Sequence, residues 1–406
     1  MKETIQFHER YKLKAKACTH IHIGCGKDVG RFEYFFSQNK SQLEFLDYDK
    51  LAIEALNNEV FIDQLTLAAA GDPSGSLHKL LLDFAEKDPG IYERIISKKA
   101  TRKLPSPDGR QGLAFPNIRR LRLFAGSPAA YLPGSSLKGA FRSAYLSKQI
   151  DGLKNKDDIF PRLKDGDDQS NLRLLRERLQ KTFRPGADDT RFFEKLIVRD
   201  GKTFQSSDMG IACIGLYGSQ KKQSNKKAAE VSGRDSDEYA EVLLAGSEFE
   251  IEISLRRLAG SRPDKFISSL KELLEISDAF YRKVWQAEKK NQQILFEQKK
   301  AVMDSYDFYH KEENQVPDDS YLIRVGYGAG QASHSVLLSY RETFQEIYGQ
   351  SADHPLRHSA IYSRKKPQLK TREPYPFTSR SALAGTRSDW IPLGWIALSK
   401  AVLNVD

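Results

Sequence analysis

The chain has 406 residues, 39% of them hydrophobic and 29% charged, and with a mean hydropathy of -0.56 this composition excludes both a disordered tail and a membrane-embedded protein. Lys and Arg total 64 against 54 Asp and Glu, a net charge of +10, so the surface attracts polyanions such as nucleic acid. The three cysteines, Cys18, Cys25 and Cys213, form no CxxC pair, which leaves neither a disulfide framework nor a zinc ribbon and points to a reducing cytoplasm.

The opening MKETIQFHERYKLKAKAC mixes charges without an apolar leader core, and no later window reaches membrane-spanning length, so neither export nor a membrane partner is expected. Alternation in YKLKAKACTHIHIG predicts a strand ending at Gly24, with Ala15, Ala17, Thr19, Ile21 and Ile23 on one face. From Leu51 to about Ser97 the apolar spacing becomes helical, broken at Gly71–Gly75 and at Asp88-Pro89-Gly90. A Pro133-Gly134 turn then opens a helix, with Ser135 or Ser136 as its N-cap. Residues 151–190 read as a charged insertion with one amphipathic helix at Leu172–Leu179. Strands are predicted at Leu196–Val198, Ile211–Leu216 and Phe249–Leu255, and Lys221–Asp237 is a polar loop. Helical spacing from Arg262 to about Tyr309 precedes a strand at Tyr321–Val325, and GWIALSKAVL closes the chain as a final strand.

Two tracts concentrate the positive charge. Between Arg94 and Arg142 stand eleven basic residues, Arg119, Arg120 and Arg122 among them, against the single acid Asp108. Between Arg357 and Arg387 stand eight against Glu373. Each tract reads either as a phosphate-tracking surface or as a solvated loop.

The most informative string is Gly134-Ser135-Ser136-Leu137-Lys138-Gly139-Ala140-Phe141-Arg142. A helix mouth with unpaired amides, two hydroxyls, and Lys138 and Arg142 at i, i+4 suits a phosphate. The spacing is not that of GxxxxGK[ST], and a capped surface helix with Gly139 at a packing contact fits the same residues. Gly24 and Gly26, followed by Lys27, free the backbone for a sharp turn or close ligand approach. Gly326, Gly328 and Gly330 alternate strictly, unlike a dinucleotide-binding GxGxxG, and form either a ligand loop or a flexible turn. His20 and His22 share a strand face and could serve as metal ligands or an acid/base pair, although no Cys, Asp or Glu cluster completes a site. Asp28 is the acid nearest these glycines, the one place for a metal-assisted cut. No metal or cofactor is expected.

Together, HIHIGCG (His20 to Gly26), YLPGSSLKGAFRSAY (Tyr131 to Tyr145) and LIRVGYGAGQ, in this order, resemble the RAMP superfamily of CRISPR effector subunits. FFEKLIVRDGKTFQSSDMGI resembles the family's "valDs" segment, with Arg199-Asp200-Gly201 departing from the usual Asp-Ser, and EVLLAGSEFEIEISL resembles the strand after it. Length, the early helical insertion and the long helical run before the glycine loop look most like the subunit that caps the guide 3′ end in type III-A (Csm) complexes.

The resemblance implies an α+β protein of two ferredoxin-like (RRM-type) domains. We place them at 1–255, with helical insertions near 50–100 and 151–190, and 256–406, with the long helical segment and glycine loop. It further implies a non-catalytic CRISPR RNA-binding subunit whose partners are the guide RNA, other RAMP subunits (the repeated backbone subunit above all) and recruited host exonucleases. Carried over, Lys138 and Arg142 contact guide phosphates, Gly134, Ser135 and Ser136 shape the turn, and Gly24, Gly26, Gly326, Gly328 and Gly330 admit the RNA backbone. Two rivals remain: a RAMP endoribonuclease that processes precursor guides through His20 or His22 with Lys138, and an assembly protein whose cations meet acidic partners.

Overall fold

A computed structural model of the chain describes residues 6–29, 34–36, 42–70, 102–103, 118–122, 130–152, 190–218, 238–257, 269–298, 308–309, 316–328, 378–383 and 390–404, with a few single positions between 79 and 94. Its strands are β1 Gln6–Ala17, β2 Gly24–Val29, β3 Tyr34–Phe36, β4 Gln42–Phe45, β5 Arg102–Lys103, β6 Ile118–Leu121, β7 Leu196–Val198, β8 Met209–Gly218, β9 Glu238–Leu243, β10 Glu248–Arg257, β11 Ser320–Arg324, β12 Thr378–Leu383, β13 Trp390–Pro392 and β14 Trp395–Asn404. Its helices are α1 Tyr48–Leu56, α2 Glu59–Ala70, α3 Gly134–Asp151, α4 Thr190–Lys195 and α5 Leu270–Gln298. The expected α+β class holds. The predicted helix at 172–179, the loop at 221–237, Gly330 and most of the 357–387 tract lie outside the described residues.

Five strands form one antiparallel sheet in the order β11-β14-β1-β10-β7. Four of them, β14-β1-β10-β7, with α3 before β7 and α5 after β10, give the βαββαβ order of a ferredoxin-like unit, and β11 adds an outer edge. Strands from both sides of residue 255 therefore build one sheet, with the first and last strands side by side at its centre. The alternation of β1 explains its two faces: Leu13, Ala15 and Ala17 are buried, while Lys14 and Lys16 are exposed. On the buried face α3 and α5 cover the sheet around Phe141, Tyr281, Trp285 and Trp395. Helix α5 presents Leu270, Leu273, Leu274, Ser277, Tyr281, Val284, Trp285 and Glu288 as one buried stripe at helical spacing, and the Ser269 hydroxyl accepts the Glu272 amide at its start. On the open face, Lys12, Lys14 and Lys16 stand opposite Glu252, Glu250 and Glu248, with ion pairs Arg10–Glu252 at 2.6 Å and Lys12–Glu250 at 3.0 Å. The β11 edge is blocked: Leu322 N–H donates to Asp278 Oδ1 at 2.7 Å, and Arg282 Nη2 donates to the Ser320 carbonyl at 3.0 Å.

The second sheet runs β2-β6-β9-β8-β5-β4-β3, with β12 on β8 and β13 on β12. The helical insertion is present as α1 and α2, and its first break falls at Asn57–Asn58, ahead of the predicted 71–75. There the Asn58 side chain caps α2 by accepting the Phe61 amide.

The predicted opening strand is corrected at its end. It stops at Ala17, and residues 18–23 cross from one sheet to the other, tied to both by backbone hydrogen bonds. Cys18 N–H donates to the Trp395 carbonyl, Ile21 exchanges both bonds with Leu243, and Tyr327 N–H donates to the His22 carbonyl. The sequence reads as one strand because Thr19, Ile21 and Ile23 continue the residue alternation of β1, although between the two sheets Thr19, His20, Ile21 and His22 are all buried.

Candidate nucleic-acid interface

At the crossover the structure brings together residues that lie far apart in the chain. Strand β2 pairs with β6 at Gly24–Leu121 and again at Asp28–Arg119, so two extra β2 residues bulge out between these pairs. Gly26, at φ 78, makes the bulge possible, and Gly26 and Lys27 are exposed. Across from it, β6 carries Arg119 and Arg120, both half-buried, and Arg122 follows, exposed. Arg122 N–H donates to the Ile23 carbonyl. Strand β6 pairs in parallel with β9 only as far as Arg119–Ala240, and the buried Glu241 carboxylate then accepts the Leu121 amide at 2.8 Å.

The loop after β11 completes the group. Gly326 and Gly328 both have φ 81, and a Cβ on Gly326 would lie 2.4 Å from the His22 carbonyl oxygen, so this close approach requires glycine. Tyr327 meets the edge of the His22 ring, and the Arg119 guanidinium lies 4.5 Å above the Tyr327 ring centre. Gly24, Gly26, Lys27, Arg119, Arg122, Gly326 and Gly328 thus form one seam.

The mouth of α3 adjoins the same seam through Arg122. Its guanidinium pKa is raised, chiefly by a hydrogen bond with Tyr131, with Cys25 and Asp200 adding attraction. The Ser pair does not cap α3, which corrects the expected N-cap: the helix starts one residue earlier, and Gly134 N–H donates to Asp200 Oδ1 at 2.8 Å. A Cβ on Gly134 would lie 2.1 Å from the Val198 carbonyl. Lys138 turns back to β7, donating to the Leu196 carbonyl at 2.7 Å, and partial burial lowers its pKa. Ser135 and Arg142 are exposed, and Ser136 is half-buried. Gly139 is exposed with no atom within 4 Å of a built Cβ, so it serves no packing contact.

Both histidines are buried pins of the crossover. His22 Nδ1 donates to the Glu241 carbonyl at 2.6 Å; burial lowers its pKa and that bond partly restores it. His20 Nδ1 accepts the Ala245 amide at 2.9 Å, and burial lowers its pKa to about 4. Asp28 is exposed and sits opposite Arg119. Among the described residues no three His, Cys, Asp or Glu side chains gather as a metal site, and no helix is long and apolar enough to cross a membrane.

The RAMP superfamily model matches residues 14–333, a span that contains the end of β1, the glycine bulge, α3 and the loop after β11. The chain belongs to the RAMP superfamily. No curated protein matches the sequence. Among solved structures, this RAMP chain is similar to a subunit in the cryo-EM structure of a Csm-crRNA-target RNA ternary complex of a type III-A CRISPR-Cas system, with a TM-score of 0.62 and 17% identity, covering 96% of this chain and 100% of the other. It is also similar to the crystal structure of T. onnurineus Csm5, with a TM-score of 0.55 and 18% identity, covering 94% and 99% of the two chains. At such identities the likeness is one of fold.

Sequence reasoning had no signal for Glu241, whose carboxylate accepts the Leu121 amide across 120 residues of chain. Asp200 left a trace in the departure at Arg199-Asp200-Gly201, and Tyr327 in the aromatic between two glycines.

Proposed function

We propose that this RAMP protein is a cytoplasmic guide-RNA-binding subunit of a type III-A CRISPR effector complex. It caps the backbone filament near the guide 3′ end and supports guide maturation and assembly without cutting RNA. Its partners are the guide, the repeated backbone subunit and recruited exonucleases. The observation that carries this reading is the seam: a glycine bulge with Lys27, the arginines of β6 and a glycine loop with Tyr327 converge where both sheets meet. Cations with an aromatic and closely approachable backbone suit a single-stranded ribonucleotide chain. The fold likeness to Csm-complex subunits supports the assembly. Burial of His20 and His22, with both Nδ1 atoms engaged by backbone, supports a non-catalytic role. Ser135, Ser136, Lys138 and Arg142 of α3, and Arg120, extend the surface beside the seam.

The test is salt-dependent binding of single-stranded RNA. Arg119→Ala with Arg122→Ala should flatten the slope of log K against log salt by roughly 1.4, about 0.7 per phosphate contact on a single strand. An unchanged slope would favour the assembly protein, and metal-free cleavage abolished by His22→Ala would favour the endoribonuclease.

A further inference from the structure

Arg324 is fully buried at the end of β11, and its guanidinium reaches three elements. Nη1 pairs with Glu288 of α5, Nε donates to the Leu393 carbonyl at 2.9 Å, and Nη2 donates to the Gly328 carbonyl at 3.3 Å. The pair is itself fixed from below: Tyr309 Oη donates to Glu288, Trp395 Nε1 donates to Tyr309 Oη at 3.1 Å, and the guanidinium lies 4.7 Å above the Trp395 ring. Such an arrangement needs a reason beyond stability, because well-packed apolar residues commonly match or exceed a buried ion pair as stabilisers. The reason lies in what the fork grips. Gly328 closes the loop in which Tyr327 N–H donates to the His22 carbonyl at 2.7 Å. Leu393 precedes Gly394, whose N–H donates to the His20 carbonyl at 2.9 Å and whose φ is 89. One guanidinium thus sets both turns that hold the crossover, and with them the place of Tyr327 against Arg119.

We propose that Arg324, anchored by Glu288, is a positioning residue for RNA binding: it touches no ligand but holds the Gly326–Gly328 loop, and Tyr327 on it, in the RNA-receiving conformation before RNA arrives. This rests on the functional reading above. A loop already ordered in the free protein loses less entropy on binding. Lysine cannot substitute, because an ammonium lacks the planar fork that spans three acceptors.

The experiment uses the full chain and a fluorescein-labelled single-stranded RNA. Arg324→Lys keeps the charge opposite Glu288, whereas Arg324→Met with Glu288→Leu replaces the pair by apolar bulk. In both, RNA affinity should fall roughly tenfold, the scale of one preorganised contact set. The slope of log K against log salt should stay that of the wild type, because no cation of the seam is removed. A merely structural role predicts lowered melting temperature with unchanged affinity, and folded variants binding like the wild type would overturn the proposal. Hydrogen exchange on the wild-type chain needs no variant to fold: the Tyr327 amide, bonded to the His22 carbonyl, should be protected without RNA, and exchange at the rate of an unstructured peptide would also overturn the proposal. Failure of the wild type to bind RNA, or an unchanged slope in Arg119→Ala with Arg122→Ala, would instead sink the functional reading, and comparing Tyr327 exchange in the wild type and Arg324→Lys would still judge whether Arg324 orders the loop.

Discussion

Replacing Asp200 separates two roles that one carboxylate plays at the mouth of α3. Its Oδ1 accepts the Gly134 amide at 2.8 Å, so it already fills the acceptor position that a phosphate would seek at a helix N-terminus. Gly134 is also pressed so closely on the end of β7, with 2.1 Å between a built Cβ and the Val198 carbonyl, that this amide is reserved for a contact within the chain. Asp200→Ala removes the cap and should cost about 1 kcal/mol, within a usual range of about 0.5–2 kcal/mol. It also removes a negative charge that attracts Arg122. A phosphate beside Arg122 would then meet less competition, so RNA affinity at low salt should hold or rise while stability falls. Asp200→Asn keeps an acceptor oxygen without the charge, so its stability should stay closer to wild type with the same gain in RNA binding. Urea unfolding reads the first effect, and fluorescence anisotropy with labelled RNA at two salt concentrations reads the second. An Asp200→Asn variant that is fully stable but binds RNA more weakly would refute the idea that the carboxylate competes with phosphate. Unchanged stability in Asp200→Ala would refute the cap.

Gly326→Ala should lose at least about 1–2 kcal/mol in urea unfolding, because alanine pays for left-handed backbone and its Cβ would meet the His22 carbonyl at 2.4 Å. Gly139→Ala should gain about 0.5–1 kcal/mol, because an exposed helical glycine with open space around it has only the helix propensity to gain; a loss in thermal denaturation would contradict the geometry. His20 stays neutral in the folded chain down to about pH 4 while the unfolded chain ionises near 6.5, so the unfolded state binds more protons between these values. Stability should therefore fall by about 3 kcal/mol as pH drops through that window, and His20→Asn, which keeps an acceptor for the Ala245 amide, should lose that component in paired unfolding curves at pH 7 and pH 4.5.

The elements with strong local pattern were legible. β7, β8, β10, β11 and β14 lie where alternation and apolar runs place them, and α5 follows its buried stripe; one core face sets the period of β10 and α5, and β11 is buried at every position. Alternation could not show that the run from Lys12 to Ile23 ends its first sheet at Ala17, since the residue types keep alternating through a crossover that the two sheets bury on both sides. Nor could it show that β1 and β14 are neighbours, because pairing across nearly the whole chain leaves no local trace. At the seam, the glycines were readable from their spacing and the arginines from their density. Their meeting was not, since it depends on the bulge between Gly24 and Asp28 and on the contact of Tyr327 with Arg119. The orientation of Lys138 was hidden for a related reason: helical spacing puts it beside Arg142, but only the position of β7 turns its ammonium back to the Leu196 carbonyl.

Charge pairing decides which surface of this fold RNA would choose. The open face of the five-stranded sheet is rich in lysine, yet Lys12, Lys14 and Lys16 each face a glutamate across the β1–β10 ladder. A phosphate arriving there must displace a carboxylate from its cation and then sit beside it, so the Coulomb gain is largely cancelled. On β6 the order is different. Arg119 and Arg120 lie on a strand whose partner bulges at glycines and offers Lys27, with Arg122 just beyond the end of β6 and Asp28 opposite Arg119. Basic residues outnumber acids at this seam, the backbone can be approached closely, and Tyr327 supplies a ring next to the cations. Among the described residues the fold thus carries a neutralised sheet face and a positive seam, and a polyanion seeking unbalanced charge would be drawn to the seam.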